Sequence, residues 1–221
     1  DTLSGGAGND TLDGGTGTTS IDTVDYTYLG TSKVTVDLTD GTGSASTLDQ
    51  DKLISIENVI TADGKDTVYG NDEDNIIKTA GDEDLINAGW GDDTIDAGSG
   101  NDTLSFEGLG ESTHKTSTNN TGVYVNLNSG VATGYGSDVI QNSSVENIIG
   151  TVYNDTIVMK AGNLSNVLDG GSSDTTDIDT ISYENYIASI KIDLSKSTEQ
   201  VVVAGSSDKD TVINIENVIG G

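Results

Sequence analysis

The chain has 221 residues, with 37 Asp and Glu against 9 basic residues, all of them lysine, and a formal net charge of −28. Such a surface offers phosphate groups few cationic partners, which argues against nucleic acid. With no cysteine, neither disulfides nor thiolate metal sites hold the chain together, and no apolar run approaches the roughly 20 residues that a bilayer-crossing helix needs.

An acidic excess of this size leaves a chain disordered by its own repulsion, or lets it compact once cations neutralise it. The placement of the aliphatic residues favours compaction, because they recur at fixed intervals. Twenty-nine glycines without one proline agree with this, since a stacked sheet cannot tolerate proline. No signal-peptide pattern opens the chain. Asp1 to Ser4 read as the end of one repeat and Gly220 and Gly221 as the head of another, so a fragment of a longer polypeptide is expected.

Taken in order, the chain shows a period of nine. GGAGNDTLD occupies residues 5 to 13 and a degraded copy, GGTGTTSID, follows at 14 to 22. The clearest stretch is residues 61 to 105, five nonapeptides reading TADGKDTVY, GNDEDNIIK, TAGDEDLIN, AGWGDDTID and AGSGNDTLS. Column eight of these holds Val68, Ile77, Ile86, Ile95 and Leu104, and column six Asp66, Asn75, Asp84, Asp93 and Asp102. Each repeat predicts a glycine-rich turn followed by a three-residue strand whose central side chain points inward. Two repeats make one coil, so turns of alternate repeats stack along one edge and their aspartates face each other.

A longer unit occurs three times. It opens with DTVDY (22 to 26), DTLSF (102 to 106) or DTISY (179 to 183). It continues through VTVDL (34 to 38), VYVNL (123 to 127) or IKIDL (190 to 194), which alternate as half-buried strands do. It closes with IENVI (56 to 60), VENII (145 to 149) or IENVI (215 to 219). These are strand-rich insertions expected to widen the sheet in register, because Val59 falls in column eight of the frame resuming at Thr61, and Ile148 does so before GTVYNDTIV at 150 to 158. A separate small sandwich in each insertion is the alternative, with too few strands to close one.

Stacked carboxylates repel unless a counter-ion lies between them. Calcium takes six to eight hard oxygen ligands and accepts carbonyls as readily as carboxylates; magnesium demands stricter octahedral geometry. Zinc and copper lack their usual ligands, with no cysteine and only His114. That histidine sits in the polar stretch ESTHKTSTNNTG, where a solvated loop is expected and no Ser–His–Asp signature surrounds it. No phosphate-binding glycine loop or EF-hand spacing appears, and no enzyme activity is expected of this segment. Trp90, third in its repeat, is expected on a turn and packed against an adjacent loop.

GGAGNDTLD matches the RTX, or haemolysin-type calcium-binding, repeat GGxGxDxUx at every specified position, and AGSGNDTLS differs only by alanine for the first glycine. The chain therefore resembles RTX regions of proteins exported by bacterial type I secretion. The resemblance implies an all-β fold, a right-handed parallel β-roll or β-solenoid of nonapeptides with longer β-strand insertions. It implies calcium between each turn and the turn two repeats on, pairing Asp66 with Asp84, Asp84 with Asp102, and Asn75 with Asp93. At least about three ions are expected, held with backbone oxygens of the turns at Gly64, Gly81, Gly89, Gly91, Gly98 and Gly100. Asp10, Asp155 and Asp179 are the matching candidates outside the regular run. Glu73 and Asp82 replace the fourth-column glycine and Asn75 replaces aspartate, so the second and third turns are expected to be less regular. Asp72, Asp74, Asp82 and Asp92 are extra acids that read equally as ligands or as solvated surface charge.

One RTX region spanning 1–221 is expected, with sub-units near 1–60, 61–105, 106–158 and 159–221. Its nonapeptide and IENVI mixture resembles large surface proteins, including S-layer proteins and giant adhesins. The implied role is a secreted, calcium-binding structural module at the bacterial cell surface, with identical subunits in a lattice or cell-surface polysaccharide as partners. The alternatives are an adhesin segment that recognises carbohydrate or a host surface, and the non-catalytic portion of a secreted enzyme or toxin.

Overall fold

The computed structural model describes residues 1–17, 21–46, 49–109, 121–162, 165–171, 176–196, 200–204 and 209–221. His114 lies outside the described residues. The architecture is all-β, built of parallel-rich sheets, as an RTX β-roll is. Two compact units divide the chain: Asp1–Thr103 with Asp138–Ser144, and Leu104–Ser137 with Val145–Gly221.

In the first unit, one sheet stacks Thr2–Leu3, Thr23–Asp25, Asn58–Ile60, Ile76–Lys78 and Thr94–Asp96 in parallel, with Val139 and Ile140 next to Thr94 and Ile95. Here alternate nonapeptides supply neighbouring strands, as Ile77 opposite Ile95 shows. The other sheet holds the intervening repeats, with Val68 opposite Ile86 in the parallel pair Thr67–Asn71 and Leu85–Gly89. The insertion adds Thr35–Asp37, Thr42–Ser46 and Asp49–Ile54, an antiparallel run whose first strand pairs in parallel with Thr67–Asn71 and whose last pairs in parallel with Thr11–Asp13. It is thus spliced into the sheet and forms no sandwich of its own.

The second unit repeats the scheme. Tyr124–Asn126, Thr156–Val158, Thr180–Ser182 and Asn217–Ile219 run parallel, with Val131–Thr133 antiparallel at Tyr124–Asn126. Asn147–Ile149, Val167–Asp169 and Lys209–Ile213 form the opposing parallel set, followed by antiparallel Val201–Val203 and Ile190–Ile192.

Column eight is the core of both units. Val24, Val36, Val59, Val68, Ile77, Ile86 and Ile95 are fully buried in the first, and Leu104, Val125, Ile148, Ile157, Leu168 and Ile181 in the second. Period-two alternation puts both flanking residues outward in Ile76–Lys78, whose central residue alone is buried, whereas Ser105, Val158 and Ser182, each next to a column-eight residue, are buried as well. Thr67–Asn71 and Leu85–Gly89 are longer than the three residues expected, because the ladder runs on until Gly89 stands opposite Asn71.

Candidate metal centre

A residue two positions before a buried column-eight side chain falls at the strand entrance, where its backbone meets the next stacked turn. At these column-six positions the structure builds a ladder of carboxylates. The N–H of Asp66 donates to Oδ1 of Asp84 (2.8 Å), and the N–H of Asp84 to Oδ1 of Asp102 (2.9 Å). On the other sheet the N–H of Asn75 donates to Oδ1 of Asp93 (2.8 Å), and that of Asp93 to Oδ1 of Asp138 (3.1 Å). In the second unit the N–H of Asp155 donates to Oδ1 of Asp179 at 2.7 Å. The first three of these stackings join residues 18 apart, the spacing of alternate nonapeptides; Asp93 with Asp138 and Asp155 with Asp179 span 45 and 24 residues and were not among the expected pairs.

One oxygen of each carboxylate is therefore satisfied by a neighbour's backbone. The second divides the ladder into two classes. Oδ2 of Asp10, Asp66, Asp84, Asp93 and Asp179 is buried with no hydrogen-bond partner. The Thr61 and Thr79 hydroxyls lie beside Asp66 and Asp84, but donate their single proton to the carbonyls of Thr79 and Ala97 (3.3 and 3.2 Å). An anionic oxygen without water or donor is costly. Burial accordingly pushes the Asp84 carboxyl up to about 7, that of Asp93 to about 8 and that of Asp179 to about 7. Neighbouring carboxylates add to the rise, Asp102 and Asp66 at Asp84 and Asp138 at Asp93. A cation relieves what these shifts express: each open oxygen calls for a proton or a metal ion.

The other class is closed by donors of the protein. Both oxygens of Asp155 are taken, Oδ1 by the N–H of Val123 (2.6 Å) and Oδ2 by the N–H of Thr151 (2.6 Å), with the Thr151 hydroxyl beside them. At Asn75, the amide Nδ2 donates to the carbonyl of Glu57 (2.8 Å) and to Oδ1 of Asn71 (3.2 Å). Asparagine there brings donors into a space that aspartate lines with negative charge.

Turn backbones approach closely enough to supply further oxygens. A Cβ added at Gly98 would collide with the carbonyl oxygen of Ala80, one at Gly100 with that of Asp82, one at Gly89 with that of Asn71, and one at Gly91 with that of Glu73. At Gly64 the added atom would stand 2.6 Å from the carbonyl oxygen of Ser32, and at Gly81 3.0 Å from Oδ1 of Asp63. Gly81 itself bridges Asp63 and Ser99 in the stack.

Asp72, Asp74, Asp82 and Asp92 are exposed. Asp74 accepts the N–H of Asp92 through Oδ1 at 2.8 Å. Trp90 is half-buried, its backbone N–H on the carbonyl of Asn71 (2.9 Å). Among the described residues, no three carboxylate, imidazole or thiolate side chains converge to hold a metal. What the turns present is a buried carboxylate oxygen per open rung with carbonyls nearby. That donor set suits a hard cation of flexible coordination and not zinc.

Sequence reasoning missed Asp22, Asp51, Glu57, Asp138, Asp210 and Glu216 as ladder members. The N–H of Asp22 donates to Oε2 of Glu57 (2.8 Å), that of Asp179 to Oε2 of Glu216 (2.9 Å), and that of Asp10 to Oδ1 of Asp51 (2.9 Å). The signal was present: with Val59 in column eight, Glu57 of IENVI falls in column six, as Asp51 does before Leu53.

The family model described as RTX calcium-binding nonapeptide repeat (4 copies) matches residues 1–21, 60–92 and 69–104. The chain carries RTX repeats. Those matched segments hold Asp10, Asp66, Asn75, Asp84, Asp93 and Asp102, the column-six residues of both nonapeptide stretches. RTX repeats are a non-catalytic calcium-binding structural motif, and proteins that carry them are typically exported by type I secretion. No curated protein matches the chain. Among the described residues, no helix is long and apolar enough to cross a membrane.

Proposed function

We propose that this segment is a calcium-triggered folding module and structural spacer of a secreted bacterial cell-surface protein. The observation that carries the reading is the row of buried, partnerless Oδ2 atoms at Asp66, Asp84 and Asp93, each on a carboxylate stacked against the next turn. Calcium would be held there by Asp66, Asp84, Asp93 and Asp102 with turn carbonyls, and again at Asp10 and Asp179; it supplies the positive charge that lets these oxygens be buried ionised. Where calcium is scarce, the acidic turns repel and the chain stays loose enough to thread an export channel. At extracellular concentrations, sites with affinities of about 10⁻⁴ to 10⁻³ M fill, and binding energy becomes folding energy.

Far-UV circular dichroism in EDTA and in millimolar calcium tests this. The expected result is a β signal that rises with calcium and falls sharply with the chelator. A full β signal in EDTA overturns it. Exposed Asp72, Asp74, Asp82 and Asp92 support an S-layer-like context in which calcium also bridges copies of the chain. Calcium-dependent two-dimensional sheets in electron micrographs are the matching readout.

A further inference from the structure

The long insertions carry a feature that the nonapeptides do not. Tyr26, the last residue of DTVDY, is fully buried, and its hydroxyl donates to Oδ2 of Asp51 at 2.9 Å. Tyr183, the last residue of DTISY, is fully buried, and its hydroxyl donates to Oδ2 of Asp210 at 2.8 Å. Both aspartates are ladder residues two positions before a buried column-eight side chain, Leu53 or Val212. Each gives its other oxygen to a stacked backbone: Oδ1 of Asp51 accepts the N–H of Asp10 (2.9 Å), and Oδ1 of Asp210 that of Asn166 (3.0 Å). The same arrangement is thus built once in each unit, with tyrosine and aspartate 25 and 27 residues apart.

The geometry is a tie across the core. Tyr26 follows Thr23–Asp25 in one sheet, and Asp51 sits in Asp49–Ile54 of the opposing sheet. Room is made by Gly43, where a Cβ would collide with the Tyr26 hydroxyl. That hydroxyl occupies, at Asp51, the role left open at Asp66, Asp84 and Asp93. A phenol donating to a carboxylate makes a charge-assisted bond, among the stronger kinds available in a dry core. Burial and the paired aspartate hold both phenols well above their ordinary range, so they remain donors.

We propose that Tyr26–Asp51 and Tyr183–Asp210 are metal-independent clasps: rungs closed by a phenol in place of a cation, which keep the insertions that contain them partly ordered before calcium arrives. This rests on the reading that the open rungs take calcium. Each insertion then acts as a preordered edge on which the repeats of its own unit zip when the ion binds. In the middle long repeat the opening segment DTLSF ends in Phe106, which offers no hydroxyl, and serves as an internal contrast.

Hydrogen–deuterium exchange of the whole chain, in EDTA and in calcium, tests the clasps. In EDTA, peptides containing Tyr26, Asp51, Tyr183 and Asp210 are expected to exchange more slowly than residues 61–105 by roughly tenfold or more, the change that one good hydrogen bond makes in an opening equilibrium. Tyr26→Phe should remove the protection around residues 26 and 51 alone, and Tyr183→Phe that around 183 and 210 alone. Tyr28→Phe, whose hydroxyl donates to the carbonyl of Gly6 and not to a carboxylate, should leave it. Equal exchange of the clasp segments and residues 61–105 in EDTA overturns the proposal, as does protection that survives Tyr→Phe. The wild-type contrast needs no variant, so a misfolded mutant leaves the test intact. Retained protection of residues 61–105 in EDTA would instead refute the calcium-triggered reading itself.

Discussion

At the scale of the residue, one position decides whether a turn needs metal. Column-six aspartate caps the stacked backbone with Oδ1 and leaves Oδ2 to its surroundings. Where the Thr151 N–H or a tyrosine hydroxyl donates to that atom the carboxylate is complete; at Asp84 it is buried with no hydrogen-bond partner, the nearby Thr79 hydroxyl donating to the carbonyl of Ala97. Asp84→Asn keeps an oxygen to accept the N–H of Asp66 and removes the buried charge. We expect one calcium fewer by isothermal titration calorimetry. We also expect a chelated chain more stable by about 1–3 kcal/mol, the cost of an unsatisfied buried polar group. An unchanged stoichiometry would show that Asp84 binds no ion.

At the scale of the element, the strands are too short to be stable alone and acquire order by stacking. Stacking in turn demands that turns nearly touch. Gly100 shows this without the complication of a left-handed backbone: a Cβ there meets the carbonyl oxygen of Asp82, which is backbone and cannot swing aside. Gly100→Ala should lower stability by about 1–3 kcal/mol even in saturating calcium, as overpacking does, read from the denaturant midpoint. A wild-type midpoint would mean that the turns are not stacked this closely. The insertions obey the same register, with Val36 opposite Val68 and Leu53 opposite Leu12. Their alternation was visible in VTVDL, whereas the partner strands were not, because hydropathy marks an inward face without saying which neighbour completes it.

At the scale of the whole chain, the net charge of −28 and the ladder act together. Burial raises Asp84 and Asp179 to about 7, Asp93 to about 8, and Asp138 and Asp155 to about 6. Unfolded, these carboxyls titrate near 3.9. Between about pH 4 and 8 the calcium-free fold therefore binds more protons than the unfolded chain, and its stability falls as pH rises through that window. Melting in EDTA should be highest near pH 4 to 5 and decline toward pH 8. In saturating calcium the decline should flatten, because the ion takes the place of the protons. Greater stability at pH 8 than at pH 5 in EDTA would contradict the buried, open carboxylates.

By itself the sequence determined the nine-residue period, the core in column eight, the acid in column six and the match to a calcium-binding repeat. All of these are written locally, since a turn of glycines, a β-branched triplet and one inward aliphatic each follow from neighbouring residues. Only the tertiary structure decided which of the acids is open. Asp84 and Asp51 look alike in sequence, yet Oδ2 of one is buried without a donor and that of the other meets Tyr26 from the opposing sheet. Whether a buried carboxylate needs an ion depends on the donors that the fold brings to it across the core, and these come from residues distant in the chain.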